Sequence, residues 1–179
     1  WYENGNSWEE TTIASGENGA CSVYAADMDS DGDLDVLAAA EYDNTIAWYE
    51  NGNSWAKSTI SSSALRVLSA HAADMDGDGD LDVLSVLSLT DKIVWYENGN
   101  SWAETTIIVT TNDAYSAYPA DMDGDGDLDV CFATDDDMRW IENARDTDGD
   151  DIADDIETGI YHTDPNDSDS DDDGINDGD

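Results

Sequence analysis

The feature that most constrains this chain is an internal repeat with a period of 47 residues. The segment WYENGNSW begins at Trp1, Trp48 and Trp95, and the segment A-D-M-D recurs at the same interval. A shortened copy, WIEN, begins at Trp140, 45 residues after Trp95. Self-similarity with a period of about 20 to 50 residues indicates a repeat architecture, in which each unit is one supersecondary structure.

Each unit is predicted to form four short β-strands. In the second complete unit we expect strands at 67–73, about 81–87, 92–97 and about 101–108, and Asn-Gly-Asn at 98–100 predicts a tight hairpin. No segment of the repeats has helical periodicity. Four antiparallel strands in a unit of about 40 to 50 residues are typical of a β-propeller blade. The predicted fold class is therefore all-β, built of propeller blades.

The repeats divide the chain unequally. Residues 1–13 supply the last two strands of a partial blade, 20–60 and 67–108 are complete blades, 115–142 supply three strands, and 144–179 form an acidic segment. A propeller needs about four to eight blades to close. We therefore expect further blades, from a longer chain or from other copies of this one. Because open blade edges invite association, an oligomer or a filament is also expected.

An acidic loop of nine residues, D-x-D-x-D-G-D-L-D, follows the first strand of each unit. Carboxylates stand at positions 1, 3, 5, 7 and 9, a glycine permits a sharp turn at position 6, and position 7 offers its backbone carbonyl. Calcium takes six to eight oxygen ligands, which this spacing can wrap around one ion. The leucine at position 8 is expected to anchor the loop in the core. The predicted ligands are Asp27, Asp29, Asp31, Asp33, Asp35, Asp74, Asp76, Asp78, Asp80, Asp82, Asp121, Asp123, Asp125, Asp127 and Asp129.

The alternative interpretation of these loops is a solvated acidic turn, since Asp and Gly are common turn residues. Five carboxylates within nine residues repel one another unless a cation neutralises them, which favours calcium. Magnesium fits less well because it keeps its water ligands. The loops are not EF-hands, since position 12 is Ala38, Ser85 or Phe132 where an EF-hand has Glu, and the flanks are predicted strands.

The acidic tail contains two further candidate calcium sites. In the first, Asp151 replaces the glycine of position 6, and Glu157 stands at position 12. The predicted ligands are Asp146, Asp148, Asp150, the Ile152 carbonyl, Asp154 and Glu157, then Asp169, Asp171, Asp173, the Ile175 carbonyl and Asp177. Asp164 and Asp167 could serve either ion, and a disordered acidic extension is the alternative. About five calcium ions would change the formal charge from −40 to about −30.

Composition excludes several classes of partner. With 45 acidic and 5 basic residues, the chain cannot bind nucleic acid through its phosphates, and anionic membranes are disfavoured. No apolar run is long enough for membrane insertion. The chain starts at Trp1, so a mature, cleaved or partial chain is expected. Cys21 and Cys131 could form a disulfide, although two small buried thiols in strands are the simpler expectation.

The motifs A-D-M-D-G-D-G-D-L-D-V-L and I-x-W-Y-E-N-G resemble the FG-GAP/VCBS-type repeats of integrin-α-like β-propellers, over residues 1–143. The resemblance implies that the acidic loop joins the first two strands of a blade and binds calcium through the aspartates named above. Residues 146–179 resemble thrombospondin type 3 repeats, and Thr163-Asp164-Pro165 fits that pattern. Both families imply a secreted or cell-surface protein.

We expect a non-catalytic, calcium-stabilised structural or adhesive module. A carbohydrate-binding propeller of a larger secreted protein or enzyme is the alternative, because the tryptophans could stack on sugars; a surface protein is another conceivable partner. An enzyme is disfavoured. His71 and His162 are the only histidines, and no catalytic set stands apart from the calcium ligands. A filament subunit is the further hypothesis, with sheets of successive chains packing head to tail.

Overall fold

A computed structural model describes residues 2–3, 9–110, 113–143, 161–164, 166–170 and 174–175. The secondary-structure elements within these residues are β-strands, and every pair of neighbouring strands is antiparallel. None of these residues forms a helix that is long and apolar enough to cross a membrane. The predicted all-β class with antiparallel four-stranded sheets is confirmed.

The first half of the chain forms a two-stranded ribbon and one four-stranded sheet. The ribbon pairs β1 with β2, namely Tyr2–Glu3 with Glu9–Glu10. Sheet I is a meander in chain order whose strands β3 to β6 are Ala20–Ala26, Asp35–Ala40, Thr45–Glu50 and Ala56–Ser61.

Two further meanders follow along the chain. Sheet II is a meander whose strands β7 to β10 are Val67–Ala73, Asp82–Leu87, Lys92–Glu97 and Ala103–Val109. Sheet III has three strands in the same order, and its strands β11 to β13 are Ala114–Ala120, Asp129–Thr134 and Met138–Ile141. The first strand of sheet II, β7, lies beside β3 and β11, the first strands of its two neighbours.

Sheet II has a neighbouring sheet on each side and buries side chains on both of its faces. Every residue of its second strand, β8, is buried. We call the face of a sheet that looks toward the next sheet in the sequence its forward face, and the opposite one its rear face. Such two-sided burial explains why the four apolar residues of β8 do not alternate with exposed polar ones, and the two polar residues of the strand, Asp82 and Ser85, are buried as well.

Two apolar clusters join the three sheets, and they are copies of each other. Between sheets I and II, the forward face of sheet I packs on the rear face of sheet II through residues that include Leu37, Ala39, Ile46, Val67, Ala70 and Val83. Between sheets II and III the same contact uses Leu84, Val86, Ile93, Ala114, Ala117 and Val130, each 47 residues further along. The repeat in the sequence is therefore a repeat of the packing interface.

Three predicted strand limits of sheet II differ from the structure. Strand β8 begins at Asp82 and not at about 81, and β10 runs from Ala103 to Val109 and not from about 101 to about 108. The predicted tight hairpin at 98–100 is a longer turn, because Ser101 and Trp102 adopt left-handed backbone angles of 58° and 57° before β10 begins. Ser54 and Trp55 do the same in sheet I, at 57° each.

The two cysteines are unpaired, so the disulfide alternative is wrong. Cys131 is half-buried in β12, whereas Cys21 in β3 is exposed, so the expectation of two buried thiols is also wrong for Cys21. The thiol of Cys21 nevertheless lies at the contact between sheets, 3.2 Å from the carbonyl oxygen of Val67.

Candidate metal centres

The three acidic loops connect the first and second strands of sheets I, II and III. They therefore lie at the same end of the strands in each sheet, directly after β3, β7 and β11. The glycines at position 6, Gly32, Gly79 and Gly126, have φ angles of 98°, 98° and 104°. A Cβ added to any of them would meet nothing within 4 Å. Glycine is needed at this position because of the backbone angle and not because of crowding.

The aspartate at position 1 closes the loop from within. Asp27 accepts the backbone N–H groups of Asp31 and Gly32, each at 3.0 Å. In the second loop Asp74 accepts the N–H of Gly79 at 3.1 Å. In the third loop Asp121 accepts the N–H of Gly124 at 2.6 Å. In the first two loops this carboxylate holds the glycine of position 6 over the start of the loop, whereas Gly124 of the third loop is at position 4.

The aspartates at positions 3 and 5 each accept the N–H two residues ahead. In the first loop Asp29 accepts from Asp31 at 3.2 Å, and Asp31 accepts from Asp33 at 2.8 Å. The corresponding distances are 3.1 and 2.8 Å in the second loop and 3.2 and 3.1 Å in the third. Each of these short turns fixes its aspartate by one oxygen.

The aspartate at position 9 is the buried member of each loop. Asp35, Asp82 and Asp129 are at most 1% exposed. In sheet II, Asp82 accepts the N–H of Met75 at 3.0 Å with one oxygen and the N–H of Asn98 at 2.8 Å with the other. It therefore joins the start of the acidic loop to the turn that follows the third strand.

The other two sheets contain the same pair of bonds. We call this pair the strap: the aspartate at position 9 accepts one N–H group from the start of the acidic loop and one from the turn after the third strand. Asp35 accepts from Met28 at 3.0 Å and from Asn51 at 2.8 Å. Asp129 accepts from Met122 at 2.8 Å and from Asn143 at 2.9 Å, although Asn143 is only 14 residues away instead of 16. The shortened third unit thus keeps this bond. Sequence reasoning missed these asparagines, although the Asn after each W-[YI]-E was a visible signal.

Burial and like charge act on the carboxylates of the loops. Burial raises the pKa of Asp82 to about 6, although the N–H groups of Asn98 and Met75 act in the opposite direction. The pKa values of Asp29 and Asp123 are also raised, first by desolvation and then by neighbouring carboxylates. Desolvation is the first cause of all three shifts, and nearby carboxylates raise each pKa further.

The loops bring carboxylate oxygens to common points. In each loop three aspartates place one oxygen each within 4.8 Å of the others: Asp27, Asp29 and Asp35; Asp74, Asp76 and Asp78; Asp121, Asp123 and Asp129. Positions 1 and 3 belong to all three groups, whereas position 5 belongs only to the second and position 9 only to the first and third. The side chains at position 7, Asp33, Asp80 and Asp127, belong to none of these groups.

The second loop offers a direct test of fit to a cation. One carboxylate oxygen of Asp74, Oδ1, is buried and has no hydrogen-bond partner within the described part of the chain. It belongs to the side chain that converges with Asp76 and Asp78. A buried anionic oxygen without a donor is costly unless a cation neutralises it. Carboxylate oxygens are the ligands that calcium prefers, so these residues fit that ion.

The leucine at position 8 packs against the preceding sheet. Leu81 lies against the cluster between sheets I and II, and Leu128 against that between sheets II and III. Leu34 is 62% exposed, so the prediction of a core anchor is wrong for the first loop. The reason is positional, because within the described residues no complete sheet packs on the rear face of sheet I.

Comparison with known families supports the repeat on independent grounds. A family model described as the FG-GAP-like repeat matches residues 27–85 and 86–132. These matches cover more than half of the chain and include all three acidic loops. The chain belongs to the FG-GAP-like repeat family. The first match begins at Asp27, position 1 of the first loop, so the family motif and the acidic loops coincide.

Structural comparison of this FG-GAP-like chain finds the crystal structure of virginiamycin B lyase from Staphylococcus aureus. The identity is 14% and the TM-score 0.48, and the similarity covers 73% of this chain and 43% of the lyase. The FG-GAP-like chain thus spans less than half of that protein. No curated protein matches it.

Most of the predicted tail ligands lie outside the described residues, namely Asp146, Asp148, Asp150, Ile152, Asp154, Glu157, Asp171, Asp173 and Asp177. Asp169 is described, and it accepts the N–H of Gly174 at 2.8 Å. This bond joins positions 1 and 6 of the second tail site, as the bond from Gly79 to Asp74 does in sheet II. Gly174 also has a positive φ angle, of 88°, and Ile175 is exposed.

Three of the residues considered for other functions, His71, Trp48 and Trp102, make packing contacts. His71 lies in β7 between the rings of Tyr24 and Tyr118, with centroid distances of 5.5 and 5.3 Å, and burial lowers its pKa. Trp48 and Trp102 pack against the cluster between sheets I and II. The edge-on contacts of His71 with the two tyrosine rings join the first strands of sheets I, II and III.

Proposed function

We propose that this chain is a calcium-stabilised, non-catalytic structural or adhesive module in which the FG-GAP-like sheets are blades of a β-propeller. The observation that carries the proposal is the convergence of three carboxylates within 4.8 Å in every loop. The buried Asp74 oxygen without a donor supports it further. When bound, calcium would neutralise these oxygens and hold each loop against the start of the second strand.

The strap at position 9 explains how such an ion would act on the fold. Each loop is already tied by Asp35, Asp82 or Asp129 to the turn after the third strand. An ion held at positions 1 and 3 would therefore be linked to three of the strands in its sheet. Because the unfolded chain holds no such site, calcium binding would contribute directly to the stability of the folded chain.

The proposed location is outside the cell, as a secreted or surface protein. FG-GAP-like repeats are typical of extracellular proteins. Calcium sites of extracellular modules often have dissociation constants of about 10⁻⁴ to 10⁻³ M, and loops with several carboxylates but exposed rims fit that class. We extend the calcium proposal to the thrombospondin type 3-like tail, where Asp169 and Gly174 repeat the bond between positions 1 and 6.

Calorimetric titration with calcium, with magnesium as the competitor, tests this function. We expect about five sites per chain, of which three are lost together when Asp29, Asp76 and Asp123 are each changed to Asn. The matched control is Asp91→Asn, which removes one carboxylate from the turn before β9, and it should leave every site intact. The proposal would be overturned if the unchanged chain gave no heat of calcium binding, or if the triple variant bound as many calcium ions as the unchanged chain.

A further inference from the structure

Asparagine followed by glycine recurs in the turn after the third strand of sheets I and II. The pairs are Asn51-Gly52 and Asn98-Gly99, and both stand in the same hexapeptide, ENGNSW. A further pair, Asn18-Gly19, lies just before β3. In such a pair the backbone nitrogen of glycine can attack the side-chain carbonyl carbon of asparagine, because glycine has no Cβ to obstruct the approach. The strap uses the backbone N–H groups of Asn51 and Asn98 and does not account for their side chains.

Both turn pairs hold the two reacting groups together. The N–H of Gly52 donates to Oδ1 of Asn51 at 3.0 Å, and the N–H of Gly99 donates to Oδ1 of Asn98 at 3.0 Å. The carbon that would be attacked, Cγ, is bonded directly to that oxygen, so each side chain is already rotated toward the glycine nitrogen. Reacting atoms that are held about 3 to 3.5 Å apart are in a near-attack arrangement.

The pair before β3 has different surroundings. The N–H of Asn18 donates to Oδ2 of Asp43 at 2.7 Å, and the carbonyl oxygen of Asn18 accepts the N–H of Tyr42 at 3.2 Å. Gly19 is packed against Tyr42, whose backbone nitrogen would lie 3.0 Å from a Cβ added to the glycine. Within the described part of the chain, the N–H of Gly19 makes no bond to the side chain of Asn18. This pair is therefore fixed in place without the near-attack arrangement.

The two turn pairs differ in how the amide group of the asparagine is held. The NH₂ group of Asn98 donates to the carbonyl oxygen of Leu81 at 3.2 Å. Among the described residues, the NH₂ group of Asn51 has no corresponding bond. Because this group must leave and Cγ must become tetrahedral during the reaction, a bond that holds the amide opposes it. One local sequence thus meets two different environments, and Asn51 is the less restrained.

We propose that Asn51 is a site of spontaneous deamidation in the folded chain, with Asn98 as a slower second site. The nitrogen of Gly52 bonds to Cγ of Asn51, and the side-chain amide leaves as ammonia with the proton that Gly52 loses. The product is a succinimide ring. Water then opens either of the two carbonyl–nitrogen bonds of the ring, which gives aspartate or isoaspartate. The reaction consumes water and no other co-reactant.

The modified residue would lie beside the first acidic loop. The N–H of Asn51 donates to the buried carboxylate of Asp35 at 2.8 Å, and Oδ2 of Asp33 is 3.5 Å from the position of a Cβ added to Gly52. Deamidation adds a carboxylate in this acidic environment, and isoaspartate also lengthens the main chain by one carbon atom. We expect the strap of sheet I to weaken as product accumulates. This inference goes beyond the proposed function, since the reaction needs no metal.

Peptide mapping by tandem mass spectrometry tests the site, after incubation of the chain in calcium at mildly alkaline pH. Tryptophan fluorescence checks at each time point that the chain is folded. In the folded chain Asn51 should convert fastest, Asn98 severalfold more slowly and Asn18 slowest. The same chain in denaturant is the internal control, and there Asn51 and Asn98 should convert at equal rates because their neighbours in the sequence are identical.

The matched variant is Asn51→Gln, which keeps the backbone N–H of the strap but has a longer side chain that closes the ring far more slowly. It should show no conversion at residue 51 and unchanged conversion at Asn98. Urea unfolding after incubation should show a loss of stability in the unchanged chain and a smaller loss in this variant. The proposal is overturned if Asn51 in the folded chain converts no faster than Asn18, or if Asn51 and Asn98 convert at equal rates when folded. An equal loss of stability in the variant would contradict the expected effect on the strap.

Discussion

Replacing Asp82 by Asn changes one buried carboxylate into an amide of nearly the same shape. In the native protein the two oxygens of Asp82 accept the N–H groups of Met75 at 3.0 Å and Asn98 at 2.8 Å. The amide has a single oxygen. One of the two backbone N–H groups must therefore face the NH₂ group of the amide. Both groups are donors, so neither finds an acceptor in the other, and water cannot replace it because residue 82 is 1% exposed.

The loss can be sized from those two bonds. A hydrogen bond to a charged group contributes about 1.5 to 3 kcal/mol, and a buried donor left unsatisfied costs about 1 to 3 kcal/mol. We expect Asp82→Asn to lower the free energy of unfolding by about 3 kcal/mol, since both effects act on one bond. For a chain of this size that corresponds to a decrease of about 6 to 12 °C in the melting temperature.

Urea unfolding followed by tryptophan fluorescence measures this change, at about pH 8, where a carboxyl with a pKa of about 6 is ionised. The matched control is Asp91→Asn, which removes the same charge from a half-buried position in the turn before β9. The measurement is made at low and at saturating calcium, and the loss should be equal in both. A variant as stable as the control, or a loss that grows with calcium, would refute the strap, because the latter is the behaviour of a missing ligand.

Three further substitutions and one control substitution probe the acidic loop, the packing between sheets and a surface ion pair. Gly79→Ala should cost about 1 to 3 kcal/mol by denaturant unfolding, because its φ angle of 98° is strained for alanine even though nothing crowds the site. Leu84→Ala, in the packed contact between sheets II and III, should cost about 2 to 5 kcal/mol, whereas Leu89→Ala in an exposed turn should change stability by less than about 0.5 kcal/mol. Lys57→Ala should cost at most about 1 kcal/mol, since its ion pair with Glu17 is partly exposed to solvent. The hydrogen bond from Lys57 lowers the pKa of Glu17 from its usual value of 4.5. The stability that the ion pair contributes is therefore present above that pH and is lost as the pH falls through the lowered pKa. NMR titration of the Glu17 carboxyl should show a higher pKa in the Lys57→Ala variant than in the unchanged chain.

The strands and their repetition could be predicted from the sequence because both follow from local pattern. The predicted first and third strands of sheet II, 67–73 and 92–97, match β7 and β9 at both ends. Their limits are set by apolar runs and by the acidic loop, which are visible in the sequence. The start of β10 was not predictable in the same way, because Ser101 and Trp102 adopt left-handed angles that neither residue type favours.

The candidate site was predictable as a set of residues but not as a set of roles. Spacing predicted that the aspartates of each loop gather, and three oxygens in each loop do converge. Spacing could not show that both carboxylate oxygens of Asp82 accept backbone N–H groups, because one partner, Asn98, lies 16 residues away. Nor could it show that Leu34 is exposed while Leu81 packs, since that difference depends on the sheet packed behind each loop.

The central claim is that calcium held by the acidic loops stabilises the fold. It is tested most directly by the melting temperature of the unchanged 179-residue chain in calcium, in magnesium and in excess chelator. One site contributes about 2.7 kcal/mol when the free calcium is 100 times its dissociation constant, so three loops acting together should lower the melting temperature by many degrees when calcium is removed. Magnesium should restore little of that loss. A melting temperature that is the same in calcium and in chelator would contradict the account.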